Sequence, residues 1–315
     1  MLACPACGAL VHADILKRLA ADATTARAAG DVTAALTAWR EAIELLPPGT
    51  RQREVVLATI ESLSRELDQA GSSAGASPPG TGRSKLASRA AGIGALGLLL
   101  SKLKLVLLGL TKLGTLASML LAFSVYWTLW GWRFALGFIA SIYVHEMGHV
   151  AALSRLGIKA TPPMFIPGIG AVVRMKQYPV TPREDARVGL AGPIWGLAAA
   201  ALAYAAFLAT GSQTWGAIAQ VGAWINLFNL LPVWQLDGAR GFRALARPER
   251  WAVVAIVAAM WFVTREGLLV LLFLTAGYAA LRGAAPAEGD HRAVLEFGTL
   301  VAILSLMTRI PVRTI

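Results

Sequence analysis

Ser141-Ile142-Tyr143-Val144-His145-Glu146-Met147-Gly148-His149-Val150 places a His-Glu-x-x-His pattern inside an apolar run of membrane-spanning length. On an α-helix, residues four apart differ by about 40° in angle and about 6 Å along the axis. His145 and His149 can therefore aim ring nitrogens at one point, a candidate zinc site. Zinc accepts neutral imidazoles, and a catalytic site leaves one of four positions to water, so a third protein ligand has to come from elsewhere in the chain. Glu146, beside the first ligand, is placed to take the proton of that water as general base. Two of the chain's 4 histidines and a glutamate share this run, where an unpaired charge costs about 2.5–3.5 kcal/mol on insertion scales. Ionisable groups at that depth point to function rather than packing.

The third ligand is expected to be an acid or histidine near membrane depth. Asp237 fits best, in Asn229-Leu230-Leu231-Pro232-Val233-Trp234-Gln235-Leu236-Asp237-Gly238, where proline breaks a helix and glycine permits a tight turn. Glu184 and Asp185 compete from an Arg-flanked loop. The plainer role for Asp237 is a helix cap or an ion pair with Arg240 or Arg243.

Working outward, 56% of the 315 residues are hydrophobic and only 15% are charged, the composition of an integral membrane protein. The net charge of +11 would suggest nucleic acid in a soluble chain, but here the basic residues lie in short loops between apolar runs and report topology; no nucleic-acid partner is expected. Arg155, Lys159, Arg174, Lys176, Arg183 and Arg187 follow the metal-bearing run, and Arg240, Arg243, Arg247 and Arg250 follow the fourth apolar run. The positive-inside rule then puts the N-terminal domain, and the end of the metal helix that carries the site, on the cytoplasmic side. Firm spans are expected at 113–130, 134–153, 188–209 and 215–231. The runs 251–263 and 268–281 are each too short to cross alone, and 294–307 reads as marginal. Between the metal helix and the next span, Met164-Phe165-Ile166-Pro167-Gly168-Ile169-Gly170-Ala171-Val172-Val173 is denied a helix by its proline and glycines, and predicts a short β-hairpin at membrane depth. Irregular backbone there is tolerated only against protein or a water-filled cavity, so the hairpin belongs beside the site, where its edge could pair with an extended substrate.

The N-terminal third is different in kind. Cys4-Pro5-Ala6-Cys7 holds the chain's only 2 cysteines, which gives no disulfide framework and fits a reducing compartment. It resembles one knuckle of a zinc ribbon, so Cys4 and Cys7 are a candidate second metal site, with only His12 nearby toward the four ligands a structural site needs. Residues 13–68 carry a soluble helical pattern, with Gly30-Asp31, Ala35, Trp39, Ala42 and Pro47 at intervals that resemble a tetratricopeptide repeat. One repeat offers little concave surface, so the segment reads either as a docking module, for a cytosolic partner or for the membrane domain, or as a hairpin that merely folds. Residues 69–90 read as a flexible linker and 93–110 as an interfacial helix. No secretory signal peptide is expected, since the first apolar run begins only near Ala91. The domain plan is therefore a knuckle at 1–12, a helical domain at 13–68, a linker at 69–90 and a membrane-embedded domain at 91–315.

On His145-Glu146-Met147-Gly148-His149, Ala191-Gly192-Pro193 and Asn229 through Gly238, the chain resembles the site-2 protease family of intramembrane zinc metalloproteases. The resemblance covers roughly residues 134–238 and implies a multi-pass bacterial inner-membrane hydrolase. In it His145, His149 and Asp237 would hold Zn2+, Glu146 would be the base, and Asn229 would place the substrate backbone or its oxyanion. Leu230 stands where the family often has proline. The expected fold is mainly α, polytopic, with the hairpin near the active site and the small soluble helical domain in front. The expected partners are membrane lipid and a transmembrane protein substrate cleaved by regulated intramembrane proteolysis. Two other classes compete: a catalytically silent membrane adaptor with a structural metal site, and a metal transporter, which would need more polar sites along a path than the later spans offer.

Overall fold

Apolar residues at helical spacing in the first seventy positions fold as three helices, α1 (Ala13–Ala28), α2 (Val32–Glu44) and α3 (Arg51–Ser73). The computed structural model describes residues 2–3, 10–73 and 113–312, apart from 169, 174 and 176. Cys4, Cys7, the interfacial helix expected at 93–110 and positions 74–90 of the expected linker lie outside the described residues. Residues 69–73, at the start of the expected linker, continue α3.

The chain divides into two compact units. The first contains α1–α3 together with residues 153–160 and 175–181. Its core joins Ala35, Leu36, Ile43, Leu46, Val56, Ile60 and Leu63. Asp31 caps α2 by accepting from the Ala34 N–H at 2.8 Å, which satisfies one of the helix's free donors. Residues 155–159 are held by the same three helices. The Thr33 hydroxyl donates to the Arg155 carbonyl at 3.2 Å and Arg40 Nε donates to the Leu156 carbonyl at 2.9 Å. Arg155 donates in turn to the Leu67 carbonyl at 2.9 Å, and Lys159 pairs with Glu41 at 2.6 Å. The last carbonyls of a helix have no intrahelical donor, and here buried Arg40, only 2% exposed, supplies one. Gly157 sits at φ +69°, and a Cβ there would lie 2.8 Å from the Thr37 amide nitrogen. A left-handed turn and a close backbone approach thus both demand glycine.

The second unit is built from α4 (Leu113–Trp130), α5 (Trp132–Arg155, up to Ala152), α6 (Pro182–Thr210), α7 (Gln213–Asn229), α8 (Asp237–Arg243), α9 (Arg247–Thr264), α10 (Gly267–Arg282) and α11 (His291–Met307). Three of these, α4, α5 and α6, are long and apolar enough to cross a membrane. The fourth expected span is α7, whose 17 residues extend about 26 Å at 1.5 Å per residue. The runs at 251–263 and 268–281 form a helical hairpin, α9 and α10, joined through Arg265 in the left-handed region at φ 56°. The unit's core gathers Leu190, Leu227, Leu230, Phe242, Leu245, Val253, Leu269 and Phe297 from α6 through α11.

The expected hairpin is present as β1 (Met164–Ile166) and β2 (Gly170–Val172), antiparallel with Phe165 opposite Ala171. Gly168 at φ +79° makes the reversal. Phe165, 3% exposed, packs with Tyr143 and Met147 of α5, its ring centroid 6.3 Å from that of Tyr143. The backbone of β1 is tied to α4: Thr115 Oγ1 donates to the Pro163 carbonyl at 2.9 Å, and the Phe165 N–H donates to Ser118 Oγ at 3.1 Å. The Gly168 N–H donates to the Tyr126 hydroxyl at 3.0 Å. The outer edge of β1 is therefore occupied by α4.

Candidate metal centre

His145 and His149 project from the same face of α5, one turn apart, and both are buried at 5% and 8% exposure. Asp237 reaches them as the first residue of α8, after Pro232 has ended α7 and Trp234, at φ 56°, has turned the chain. Gly238 makes that turn possible, because a Cβ there would collide with the carbonyl of Leu230. His145 Nε2 lies 3.1 Å from one Asp237 oxygen, His149 Nε2 lies 3.3 Å from the other, and the two Nε2 atoms are 3.2 Å apart.

The far side of each ring fixes its chemistry. His149 Nδ1 lies 2.8 Å from the Val188 carbonyl, which can only accept, so Nδ1 carries the proton and donates. His145 Nδ1 donates to Asn226 Oδ1 at 2.8 Å, and Asn226 Nδ2 donates to the Gly222 carbonyl at 2.7 Å. With both Nδ1 atoms protonated, both Nε2 lone pairs point at each other and at a carboxylate. Such an arrangement requires a cation, or added protons, between the three groups. The spacing suits zinc: ligand bonds of about 2.0–2.1 Å arranged tetrahedrally separate neighbouring ligand atoms by about 3.3–3.4 Å. The three separations of 3.1, 3.2 and 3.3 Å are close to that edge. His145, His149 and Asp237 could hold a metal ion. Burial alone would raise the Asp237 carboxyl pKa, but the His149 and His145 imidazoles outweigh it and hold the group below its ordinary value, ionised as a ligand must be.

Glycines on α5 and α6 make the close approach possible. A Cβ at Gly192 would collide with Nε2 of both imidazoles, one at Gly148 would meet the Ala191 carbonyl, and one at Gly196 would overlap the Asn226 amide. The Ala191-Gly192-Pro193 stretch is thus the floor under the two histidines.

The two competing acids are accounted for. Asp185 accepts from Arg240 Nε at 2.7 Å and from Arg243 Nη1 at 2.9 Å. The arginines that might have paired with Asp237 are therefore engaged by Asp185, which ties α6 to the short helix bearing Asp237. Glu184 is buried at 3% exposure and is not a member of the three-residue cluster. Asn229 Nδ2 lies 3.5 Å from His145 Nε2, at the rim of the cluster. Glu146 is buried at 7% exposure on the turn that carries both histidines. Sequence reasoning missed Asn226. A polar residue in an apolar helix, three positions before Asn229 and so on the same face, was the available signal.

Residues 133–213 match a family model described as Peptidase family M50. The match takes in the His145-to-His149 motif and the glycines of α6, and stops short of Asp237. The chain is also 33% identical over 161 residues to proteins of Mycobacterium tuberculosis, strains Erdman and H37Rv, provisionally named zinc metalloprotease Rip3. That alignment covers 48% of this chain and 39% of each relative, so the chain matches well under half the length of the curated relatives. No solved structure matches it. The histidine-bearing part of the chain is therefore similar to the M50 peptidases, and the carboxylate that completes the cluster lies beyond the region that similarity covers.

Proposed function

We propose that this protein is a zinc-dependent intramembrane metalloprotease that hydrolyses peptide bonds of transmembrane substrates. The observation that carries the reading is the convergence, at tetrahedral-edge distances, of two Nε2 lone pairs on an apolar helix of membrane-crossing length with the carboxylate of Asp237. The M50 match over residues 133–213 supports it.

His145, His149 and Asp237 would hold the ion, and the chemistry zinc supplies in such a ligand set is Lewis-acid polarisation of a carbonyl and acidification of water. The chain's own groups do the rest. Glu146 accepts the proton of the attacking water and delivers it to the leaving amine. Asn229, a donor at the rim of the cluster, hydrogen-bonds the carbonyl oxygen as it gains charge. A membrane helix has its carbonyls engaged internally, so the substrate must unwind and needs new partners for its backbone. With the edge of β1 taken by α4, we assign that task to the outer edge of β2 (Gly170–Val172), which would add the unwound segment as a third strand.

The basic loops support a cytoplasmic N-terminal domain and a multi-pass topology. Cys4 and Cys7 stay a candidate second metal site, which would need further ligands to reach the four a structural site takes. The helical domain spends part of its polar surface on the chain's own residues 155–159, and its remaining surface is assigned to a cytosolic partner.

The test is zinc content per chain in the purified wild type and in His145→Ala and Asp237→Ala, beside cleavage of a transmembrane peptide. About one zinc in the wild type, lost together with cleavage in both variants, is the expected result. Zinc retained in Asp237→Ala would remove Asp237 from the ligand set, and zinc bound without cleavage by the wild type would replace the protease with a structural metal site.

A further inference from the structure

The two candidate ligand histidines are locked in different ways. His149 Nδ1 is held by the Val188 carbonyl, a backbone group that no side-chain replacement removes. His145 Nδ1 is held by a side chain, Asn226 on α7, 81 residues away in sequence. Asn226 is itself 3% exposed, and its orientation is not free to reverse. Nδ2 faces the Gly222 carbonyl at 2.7 Å, an acceptor only, so Oδ1 must face the imidazole. An acceptor at Nδ1 forces the proton onto Nδ1 and leaves the Nε2 lone pair for the cation. The amide also occupies the space that a Cβ at Gly196 of α6 would fill. Three helices thus meet at one side chain: α5 supplies the ring, α7 the amide, and α6 the missing Cβ.

From this we infer that Asn226 is a positioning residue for the metal centre: it selects the His145 tautomer, fixes the ring plane, and depends on glycine at 196 to do so. The inference rests on the zinc reading of the His145, His149 and Asp237 cluster. Asn226 touches neither a substrate nor the reacting atoms; its effect passes through His145. An isosteric apolar replacement leaves the Nδ1–H without its acceptor and frees the ring to rotate or to change tautomer. Loss of such an outer hydrogen bond weakens metal binding by about 10- to 100-fold. An aspartate keeps an acceptor oxygen in the same place and adds charge, the carboxylate–histidine–zinc arrangement.

The experiment uses the full chain in detergent and reads zinc affinity by competition with a chromophoric chelator, with the visible spectrum of the cobalt-loaded protein as a second readout and helix content as the fold check. Asn226→Leu is expected to bind zinc about 10- to 100-fold more weakly and to shift the cobalt bands. Asn226→Asp is expected to bind at wild-type strength or tighter. Gly196→Ala, which pushes the amide aside, is expected to mimic Asn226→Leu, and the double variant should be no weaker than the weaker single variant, because both remove one interaction. Wild-type affinity in Asn226→Leu, an Asn226→Asp variant as weak as Asn226→Leu, or additive losses in the double variant would each overturn the inference. If the Leu variant does not fold, the Asp variant and Gly196→Ala decide. A wild type that binds no zinc would instead remove the metal reading itself, and the inference with it.

Discussion

Two buried polar clusters lie in the second unit, and they are organised in opposite ways. In the first, His145, His149 and Asp237 turn lone pairs toward a common point 3.1 to 3.3 Å from one another. In the second, each acid meets a donor of its own: Arg187 Nη2 pairs with Asp290 at 2.8 Å, Arg292 Nε pairs with Glu296 at 2.7 Å, and Glu249 accepts from the Ala246 and Asp290 amides. Nearby Arg250, 2% exposed, donates to the carbonyls of Leu245, Ala279, Gly283 and Ala284 and so closes the end of α10. Burying charge is costly in both places. The second cluster offsets much of that cost internally, by pairing opposite charges. The first offsets it only when something positive enters. A buried set of groups with mutually satisfied charges holds a fold together, while a buried set of convergent acceptors is built to receive a ligand.

Four changes would break or sharpen this contrast. The largest effect is expected for Glu146→Gln, which removes a proton acceptor but no ligand: cleavage should fall by about 10²- to 10⁴-fold while zinc content stays at the wild-type level. Cleavage at wild-type rate would remove Glu146 from the mechanism. Asp290→Ala acts on the other cluster. It removes the carboxylate nearest Arg187, which keeps Glu296 at 3.8 Å, and the cap of α11, whose Arg292 and Ala293 amides donate to Asp290. Breaking one side of a buried pair costs about 3–5 kcal/mol, so reversible unfolding should show that loss with zinc stoichiometry unchanged in the folded fraction.

Gly192→Ala tests whether the first cluster is built around space. Its Cβ would collide with both Nε2 atoms, and overpacking of this kind costs about 1–3 kcal/mol. Zinc binding should suffer before helix content does, and a variant with normal zinc affinity would show that the floor of α6 is not needed. Asp185→Ala is intermediate between the clusters, since Asp185 is paired like the second but holds the helix that carries Asp237. Arg240 is 15% exposed and Arg243 57% exposed, so the stability loss should be modest, about 1 kcal/mol after solvent screening. Zinc affinity should fall further than that small destabilisation accounts for, as measured by chelator competition.

The legible parts of the site were the local ones. His145, Glu146 and His149 could be placed because a four-residue spacing in a helix is a geometric statement about neighbours in sequence. The hairpin was legible because Pro167, Gly168 and Gly170 deny the alternatives. Asp237 could be preferred over Glu184 and Asp185 only by its setting, and the reason for the preference became visible with the ion pairs: Asp185 already holds Arg240 and Arg243. Asn226 and Arg40 were not legible. An asparagine within an apolar helix and an arginine on an amphipathic one carry no local mark of their partners, which lie 81 and 116 residues away.

The sequence by itself determined the long apolar runs, the break at Pro232, the hairpin and the four-residue spacing of His145 and His149 on α5. These follow from periodicity, backbone restriction and residue chemistry, all acting within a few residues. The tertiary structure alone decided which carboxylate joins the histidines, which nitrogen of each ring faces it, and which edge of the hairpin is already occupied. Those are outcomes of one helix packing on another, where the absence of a single Cβ at Gly192 or Gly196 settles what can approach, and no local pattern records the partner.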